Sequence, residues 1–185
     1  MFNADEKQFI LNLARQSIGY YFDNQKLLKI YVDSLPSEKL KEDLACFVTL
    51  TINGQLRGCI GHLEPIQPLY LDIIENAVGS AFDDNRFLPL TRDEFKKIKI
   101  ELSVLSKPAE IKFTDSNDLL KKITPQTDGI IIKRGSYGAT YLPQVWEDLP
   151  DKSEFLSSLC QKAGLAASDW NSPGTRIWKY RVEKI

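Results

Sequence analysis

Residues 44–61 read LACFVTLTINGQLRGCIG, two largely apolar runs joined by an Asn-Gly pair. Side chains over residues 44–52 alternate in character, which is typical of a strand with one buried face. The Asn53-Gly54 link is the strongest short-range signal for a tight β-hairpin, because both residues tolerate the positive φ angles that such a turn requires. The stretch therefore predicts two antiparallel strands, 44–52 and 55–61.

The turn also predicts which residues of the two strands face each other. A two-residue turn places Leu50 opposite Arg57 and Val48 opposite Cys59. The same count pairs Ile52 with Gln55 and Phe47 with Ile60. Arg57 and Cys59 are then expected to share the face that carries Val48 and Leu50.

Two interpretations of that face remain open. In the functional one, Arg57 favours the thiolate form of Cys59, and Gly58 and Gly61 let a substrate approach the backbone closely. In the structural one, Cys59 packs against Val48 as a small apolar side chain, and the Arg57 stem covers apolar surface. Residue types alone favour the structural interpretation, because buried inert cysteines are common.

The scarcity of histidine and cysteine restricts the chemistry further. His62 is the only histidine, and alternation along a continuing strand places it on the opposite face from Cys59, so we do not expect it to be a general base for the thiol. Three scattered cysteines without a CxxC motif indicate a reducing compartment. No metal site of Cys/His type is expected.

The remaining segments alternate between helical and strand periodicity. Predicted helices span residues 5–22, 25–32, 66–82 with Pro65 at its start, and the segment from Asp151 to a Gly164 cap; predicted strands span 98–104, 129–134, 139–145 and 175–182. This order predicts an α+β fold with a mixed or mostly antiparallel sheet and flanking helices.

Composition excludes several classes of protein. The chain has 185 residues, 43% hydrophobic and 26% charged, with a formal net charge of -1, as expected of a single globular unit. No apolar run approaches the roughly 20 residues that cross a bilayer, and the N-terminal residues do not read as a secretory signal. We therefore expect a cytoplasmic protein that binds neither membrane nor nucleic acid.

Two further clusters carry polar side chains suited to a site. Asp84 and Arg86 are close enough to form a bidentate pair that fixes a loop, which is the favoured interpretation, while the functional alternative is a substrate clamp in which Arg86 binds an anion. Residues 133–138, KRGSYG, form a basic, glycine-bearing loop that matches no phosphate-binding motif and is predicted to be a hairpin tip.

These clusters, in this order, resemble the AMMECR-type domain, also called AmmeMemoRadiSam system protein A. The resemblance rests on LRGCIG at 56–61, PL at 68–69, AFDDNRFLPLT at 81–91, IELSVLS at 100–106, DGI at 128–130, YLPQV at 141–145, FL at 155–156 and KAGL at 162–165. It runs along nearly the whole chain. Asn85 and Leu88 depart from the family pattern, which usually has proline at both positions, and the loop is therefore expected to be less rigid than is typical.

The resemblance implies a single domain over residues 1–185 with a large lobe, a small lobe and the Arg57–Gly61 segment near the cleft between them. It also implies two prokaryotic partners, a radical-SAM protein and a Memo-type protein similar to dioxygenases, but no established reaction or cofactor. Two functional hypotheses follow. Either Cys59 acts as a nucleophile or ligand near Arg57 while Arg86 holds an anionic substrate, or the domain is a non-catalytic module that docks one of those partners.

Overall fold

The computed structural model describes all residues from Met1 to Ile185, and the chain divides into two compact units. The first unit comprises residues 1–105 and 183–185, and the second comprises residues 106–182. Each unit contains one four-stranded antiparallel sheet with its own hydrophobic core. The predicted α+β class is confirmed, and of the two predicted sheet types the antiparallel one is observed, divided between two sheets.

The first unit packs two long helices against its sheet. The helices are α1 (Ala4–Asn24), α2 (Leu69–Phe82) and the single turn α3 (Arg92–Phe95), and the strands are β1 (Cys46–Ile52), β2 (Gln55–Gly61), β3 (Lys99–Leu105) and β8 (Val182–Lys184) in the order β2-β1-β3-β8. Buried side chains of α1 and α2 meet those of β1 and β3, including Ile10, Val48, Leu50, Ile73 and Leu102. Burial of each such side chain stabilises the fold by roughly 1.5–3 kcal/mol.

The second unit builds a smaller core around a stacked aromatic pair. Its elements are β4 (Ala109–Glu110), α4 (Ser116–Lys122), β5 (Gly129–Arg134), β6 (Tyr137–Tyr141), α5 (Lys152–Lys162) and β7 (Arg176–Tyr180), with strand order β4-β7-β5-β6. The Trp146 and Phe155 rings lie 3.6 Å apart and nearly parallel, and the Trp146 indole N–H donates to the Asp128 carbonyl at 2.8 Å. The indole is thus buried with its polar group satisfied.

Local signals predicted several elements well. Asn53 and Gly54 have φ angles of 52° and 80°, so the first hairpin has the predicted two-residue turn. The predicted helix 5–22 is α1, which is extended by an Asn3–Glu6 capping box. Asp151 caps α5 by accepting two backbone N–H groups, as predicted.

Four predicted helices or strands differ from the observed ones, each for an identifiable reason. Residues 25–31 are not helical and Val32 only begins a short 3₁₀ turn, because Gln25 adopts a left-handed conformation (φ 53°) that ends α1. Helix α2 begins at Leu69 and not near residue 66, because the residue before Pro68 is disfavoured in a helical conformation. Strand β6 is Tyr137–Tyr141, since the second hairpin turns in two residues, and residues 143–147 form a 3₁₀ turn. The predicted strand 175–182 is two strands, β7 and β8, one in each sheet.

No helix combines the length and the apolar character needed to cross a membrane.

Candidate functional site

A β-bulge in the first hairpin decides which way Cys59 faces. The pairing starts as predicted, with Ile52 opposite Gln55 and Thr51 opposite Leu56. The next pair is Leu50 with Gly58, so that Arg57 is an extra residue without a partner on β1. An extra residue in a strand sends every later side chain to the other face of the sheet.

The predicted pairs Leu50–Arg57, Val48–Cys59 and Phe47–Ile60 were therefore wrong. Cys59 lies opposite Thr49, and Val48 lies opposite Ile60. Val48 is fully buried beneath the helices, whereas Thr49 and Cys59 are half-buried on the face of the sheet opposite the helices. Cys59 therefore does not pack against Val48, and the contact predicted by the structural interpretation was wrong.

Helix α2 approaches β2 closely at Gly58. A Cβ atom at Gly58 would lie 2.0 Å from the Ser80 carbonyl oxygen, a distance that no side chain can occupy. The Ser80 hydroxyl oxygen accepts from the Ile60 N–H at 2.9 Å and lies 2.7 Å from the Val48 carbonyl oxygen, so it bridges β1 and β2. The space beside Gly58 that was predicted to admit a substrate is filled, on this side, by the protein's own backbone.

Gly61 has a similar packing role. A Cβ atom there would lie 2.4 Å from both the Cys46 carbonyl oxygen and the Phe47 ring. Neither glycine of the Arg57–Gly61 segment therefore leaves open space on the side where a side chain would stand.

The Cys59 thiol is the most accessible of the three cysteine thiols. Its Sγ lies 3.3 Å from the Thr49 hydroxyl oxygen, and the residue is half-buried. Cys46 and Cys160 are fully buried, and burial raises the pKa of both of their thiols. Selective chemistry at Cys59 is therefore expected from access and geometry.

Asp84 and Arg86 cap the outer edge of β2 at Cys59. The Cys59 N–H donates to Asp84 Oδ2 at 2.8 Å, and Arg86 Nη2 lies 3.4 Å from the Cys59 carbonyl oxygen. These two side chains thus replace a neighbouring strand along the exposed edge, where an unpaired backbone would invite association.

The pair is bidentate, as the loop-fixing interpretation predicted. Arg86 Nε donates to Asp84 Oδ1 at 2.9 Å and Nη2 donates to Oδ2 at 2.7 Å. The Arg86 hydrogen bonds hold the pKa of the Asp84 carboxyl well below its usual range, and Asp84 in turn raises the pKa of Arg86. Asp84 occupies the guanidinium edge with which Arg86 would otherwise clamp an anion.

Arg57 binds the segment that follows α2, including the turn α3. Its Nε donates to Glu94 Oε1 at 2.8 Å, and its Nη2 donates to Glu94 Oε2 at 3.1 Å and to the Leu88 carbonyl at 2.8 Å. Both guanidinium carbons, of Arg57 and Arg86, lie within 5.7 Å of the centre of the Phe87 ring. The Arg57 charge is thus paired with the Glu94 carboxylate, and the proposed influence of Arg57 on Cys59 stays a prediction.

Glu94→Gln tests the pairing of Arg57. Arg57 lowers the pKa of Glu94 from 4.5 to about 2. The Glu94 carboxylate therefore contributes stability at pH values above 4.5, and this contribution is lost as the pH falls toward 2. We expect the variant to lose about 1 kcal/mol at pH 7 and to show a shallower decline in stability between pH 5 and pH 2. Urea unfolding across that range measures both effects, and Glu147→Gln, at an exposed position, is the matched control. An unchanged pH profile would show that the pair contributes nothing.

His62 lies on the helix side of β2, away from Cys59, as alternation predicts. Its Nδ1 is 2.5 Å from Asp72 Oδ1, and the other Asp72 oxygen accepts from the Cys46 N–H at 2.8 Å. Asp72 is 1% exposed, and its Oδ1 also accepts from Gln67 Nε2 at 3.3 Å. His62 thus ties the end of β2 to helix α2, on the face of the sheet opposite the Cys59 thiol.

A shallow cavity of about 310 Å³ lies on the helix-free face of the same sheet. It is lined by Thr49, Thr51, Lys99, Ile100, Glu101 and Ile185. Thr49, which contacts the Cys59 thiol, also forms one wall of this cavity. The half-buried thiol and the cavity are therefore neighbours on one surface.

The whole chain matches known proteins. The model of the AMMECR1 family matches residues 11–185. The chain belongs to the AMMECR1 family. It is 38% identical to protein MK0488 of Methanopyrus kandleri over 97% of this chain and 87% of that protein. It is 36% identical to protein MJ0810 of Methanocaldococcus jannaschii over 99% of this chain and 90% of that protein.

A solved AMMECR1-type structure has the same fold. The uncharacterised protein PH0010 of Pyrococcus horikoshii is 34% identical, and its crystal structure is similar with a TM-score of 0.79 over 99% of this chain and 92% of that chain. The resemblance read from the sequence motifs is confirmed. The names of these relatives state no activity, substrate or partner.

The AMMECR1 loop after α2 is held by hydrogen bonds despite its two departures from the family pattern. The Phe87 N–H donates to the Asp84 carbonyl at 3.0 Å, and the Leu90 N–H donates to the Ala81 carbonyl at 2.7 Å. Arg57 holds the Leu88 carbonyl, while the Leu88 side chain is 84% exposed. A fixed backbone thus presents one apolar side chain to solvent.

Sequence reasoning missed three residues of this AMMECR1 site. Neither Thr49, inside the predicted strand 44–52, nor Ser80, inside the predicted helix 66–82, was identified as a candidate site residue. Glu94 had a usable signal, because Thr91 and Glu94 have the spacing of a capping box and do form one. That motif places a carboxylate at a helix start, although it does not reveal that Arg57 binds it.

Proposed function

We propose that this chain is a cytoplasmic thiol-dependent enzyme or modification protein in which Cys59 is the nucleophile. The observation that supports it is the half-buried Cys59 thiol, 3.3 Å from the Thr49 hydroxyl and beside the cavity on the helix-free face. The Thr49 O–H can donate to a thiolate and stabilise it. Asp84 and Arg86 bind the Cys59 backbone, so the thiol stands on a fixed strand.

The reaction best suited to this arrangement is acyl transfer. The Cys59 sulfur forms a bond to the carbonyl carbon of a thioester or amide, and the bond from that carbon to the leaving group breaks. The leaving group departs with the electron pair and takes up one proton, which balances the proton lost by the thiol. A second nucleophile, water or an amine, then releases the acyl group and regenerates the thiol.

Intact-mass spectrometry with two probes tests the nucleophile. Iodoacetamide is expected to alkylate native protein once, at Cys59, and S-phenyl thioacetate is expected to add one acetyl group at the same residue. Cys59→Ser should take up neither probe under native conditions, whereas Cys160→Ser should react as the unaltered protein does, because Cys160 is buried. Native protein that resists both probes, or that reacts equally at Cys46, contradicts the proposal.

A second candidate function is docking of a Memo-type or radical-SAM protein, the partners that the family resemblance implies. The observation that favours it is Leu88, an apolar side chain that is 84% exposed on a loop pinned by Arg57. Rigid exposed apolar residues are typical anchors of protein interfaces. Co-purification with each partner, compared between the unaltered chain and Leu88→Ser, tests it, and equal recovery of partner with both chains would reject Leu88 as the anchor.

A further inference from the structure

The cavity beside Cys59 is built around four side chains in a two-by-two array. Thr49 lies directly opposite Glu101, and Thr51 lies directly opposite Lys99, on the neighbouring strands β1 and β3. All four project from the helix-free face, because the residues between them on each strand face the buried core. A hydroxyl group thus stands beside each charged group.

The two charges of the array are available to a ligand. Glu101 is 3.8 Å from Lys184, but both side chains are more than half exposed, so this pair is weak and readily exchanged. Lys99 has no carboxylate partner and is exposed. One cation and one anion, two residues apart on β3, therefore face the same cavity at a separation of roughly 7 Å between their Cα atoms.

This pattern selects among ligand classes. Glu101 disfavours a simple anion, and Lys99 disfavours a simple cation, because each would bring a like charge within a few ångströms. A ligand that carries an ammonium and a carboxylate on one carbon satisfies both side chains at once. The two threonine hydroxyls can accept from the ammonium or donate to the carboxylate.

We propose that this cavity binds the α-ammonium and α-carboxylate of an amino-acid-like ligand, with Glu101 facing the ammonium and Lys99 facing the carboxylate. The assignment of this ligand as a substrate of Cys59 rests on the proposed function, whereas the binding itself does not. Cys59, Thr49 and Glu101 form one row across three strands, so about two strand spacings of 4.8 Å separate the thiol from the charged pair. The side chain of a bound amino acid that lies along this row extends over part of that distance toward the thiol.

Titration of the ¹⁵N-labelled protein with L-glutamine, followed by NMR, tests the inference. We expect chemical-shift changes confined to β1 and β3 around the array. Nα-acetyl-L-glutamine lacks the ammonium and L-glutamine methyl ester lacks the carboxylate, so each should bind at least about tenfold more weakly. Equal affinity for the three compounds, or no shift changes with L-glutamine at tens of millimolar, would overturn the inference.

Variants separate the binding site from the thiol chemistry. Lys99→Met and Glu101→Gln should each weaken L-glutamine binding at least about tenfold, while Lys97→Met, at an exposed position just before β3, should leave it unchanged. Cys59→Ser should bind L-glutamine as the unaltered chain does. Binding without Cys59 reactivity would refute only the proposed nucleophile, and Cys59 reactivity without binding would refute only this site.

Discussion

Gly58→Ala is expected to destabilise the protein by about 3 kcal/mol or more, the largest effect of any single methyl group in the hairpin. The added Cβ would lie 2.0 Å from the Ser80 carbonyl oxygen, which belongs to the backbone of a buried helix and cannot rotate away. Either α2 shifts outward and opens the core around it, or β2 moves and loses the bulge. Urea unfolding followed by circular dichroism measures the loss.

Gly19→Ala is the matched control for that substitution. Gly19 lies inside α1, and a Cβ there would meet only the Phe95 ring at 3.5 Å, an ordinary van der Waals contact. Alanine in a helix interior is favoured over glycine, so this variant should be as stable as the unaltered chain or more stable by up to about 1 kcal/mol. If Gly58→Ala behaves like Gly19→Ala, the close approach of α2 to β2 is refuted.

Asp84→Asn is expected to lower stability by about 3 kcal/mol at pH 7 and to release the edge of β2. The Asp84 carboxylate is 4% exposed and accepts from the Cys59 N–H, the Arg86 N–H and two guanidinium nitrogens of Arg86. An amide of the same shape leaves the Arg86 charge unpaired and turns one acceptor into a donor. With the strand edge less fixed, the rate of Cys59 alkylation should also change.

The pH dependence gives an independent readout of Asp84. Because its pKa is depressed in the folded protein, Asp84 contributes stability that is present above about pH 4 and is lost as the pH falls. Asp84→Asn should therefore flatten the decline in unfolding free energy between pH 5 and pH 3. Asp93→Asn is the control, since Asp93 and Lys96 form a pair that is almost fully exposed, and little change is expected. Equal pH profiles for Asp84→Asn and the unaltered chain would contradict the role of the pair.

Most of the local structure around the site could be predicted from the sequence. The turn at Asn53-Gly54 and the capped starts of α1 and α5 follow from contacts within four residues. The bidentate Asp84–Arg86 pair could be predicted for the same reason, because its partners are two residues apart. Partners distant in sequence could not be predicted, and Arg57 with Glu94 is the main example, with 36 residues between them.

By itself, the sequence determined the family, the α+β class and the identity of the few side chains that could perform chemistry. The tertiary structure alone decided which face Cys59 occupies. A tight turn fixes only the first cross-strand pairs. Beyond them, the pairing of β1 and β2 depends on Ser80 of helix α2. The Ser80 carbonyl leaves room only for glycine at position 58, and the Ser80 hydroxyl bridges the two strands. The extra residue, Arg57, sends every later side chain of β2 to the other face of the sheet. The contact of Gly58 with Ser80, 22 positions away, is therefore associated with Cys59 lying on the open face beside Thr49 and not on the predicted core face.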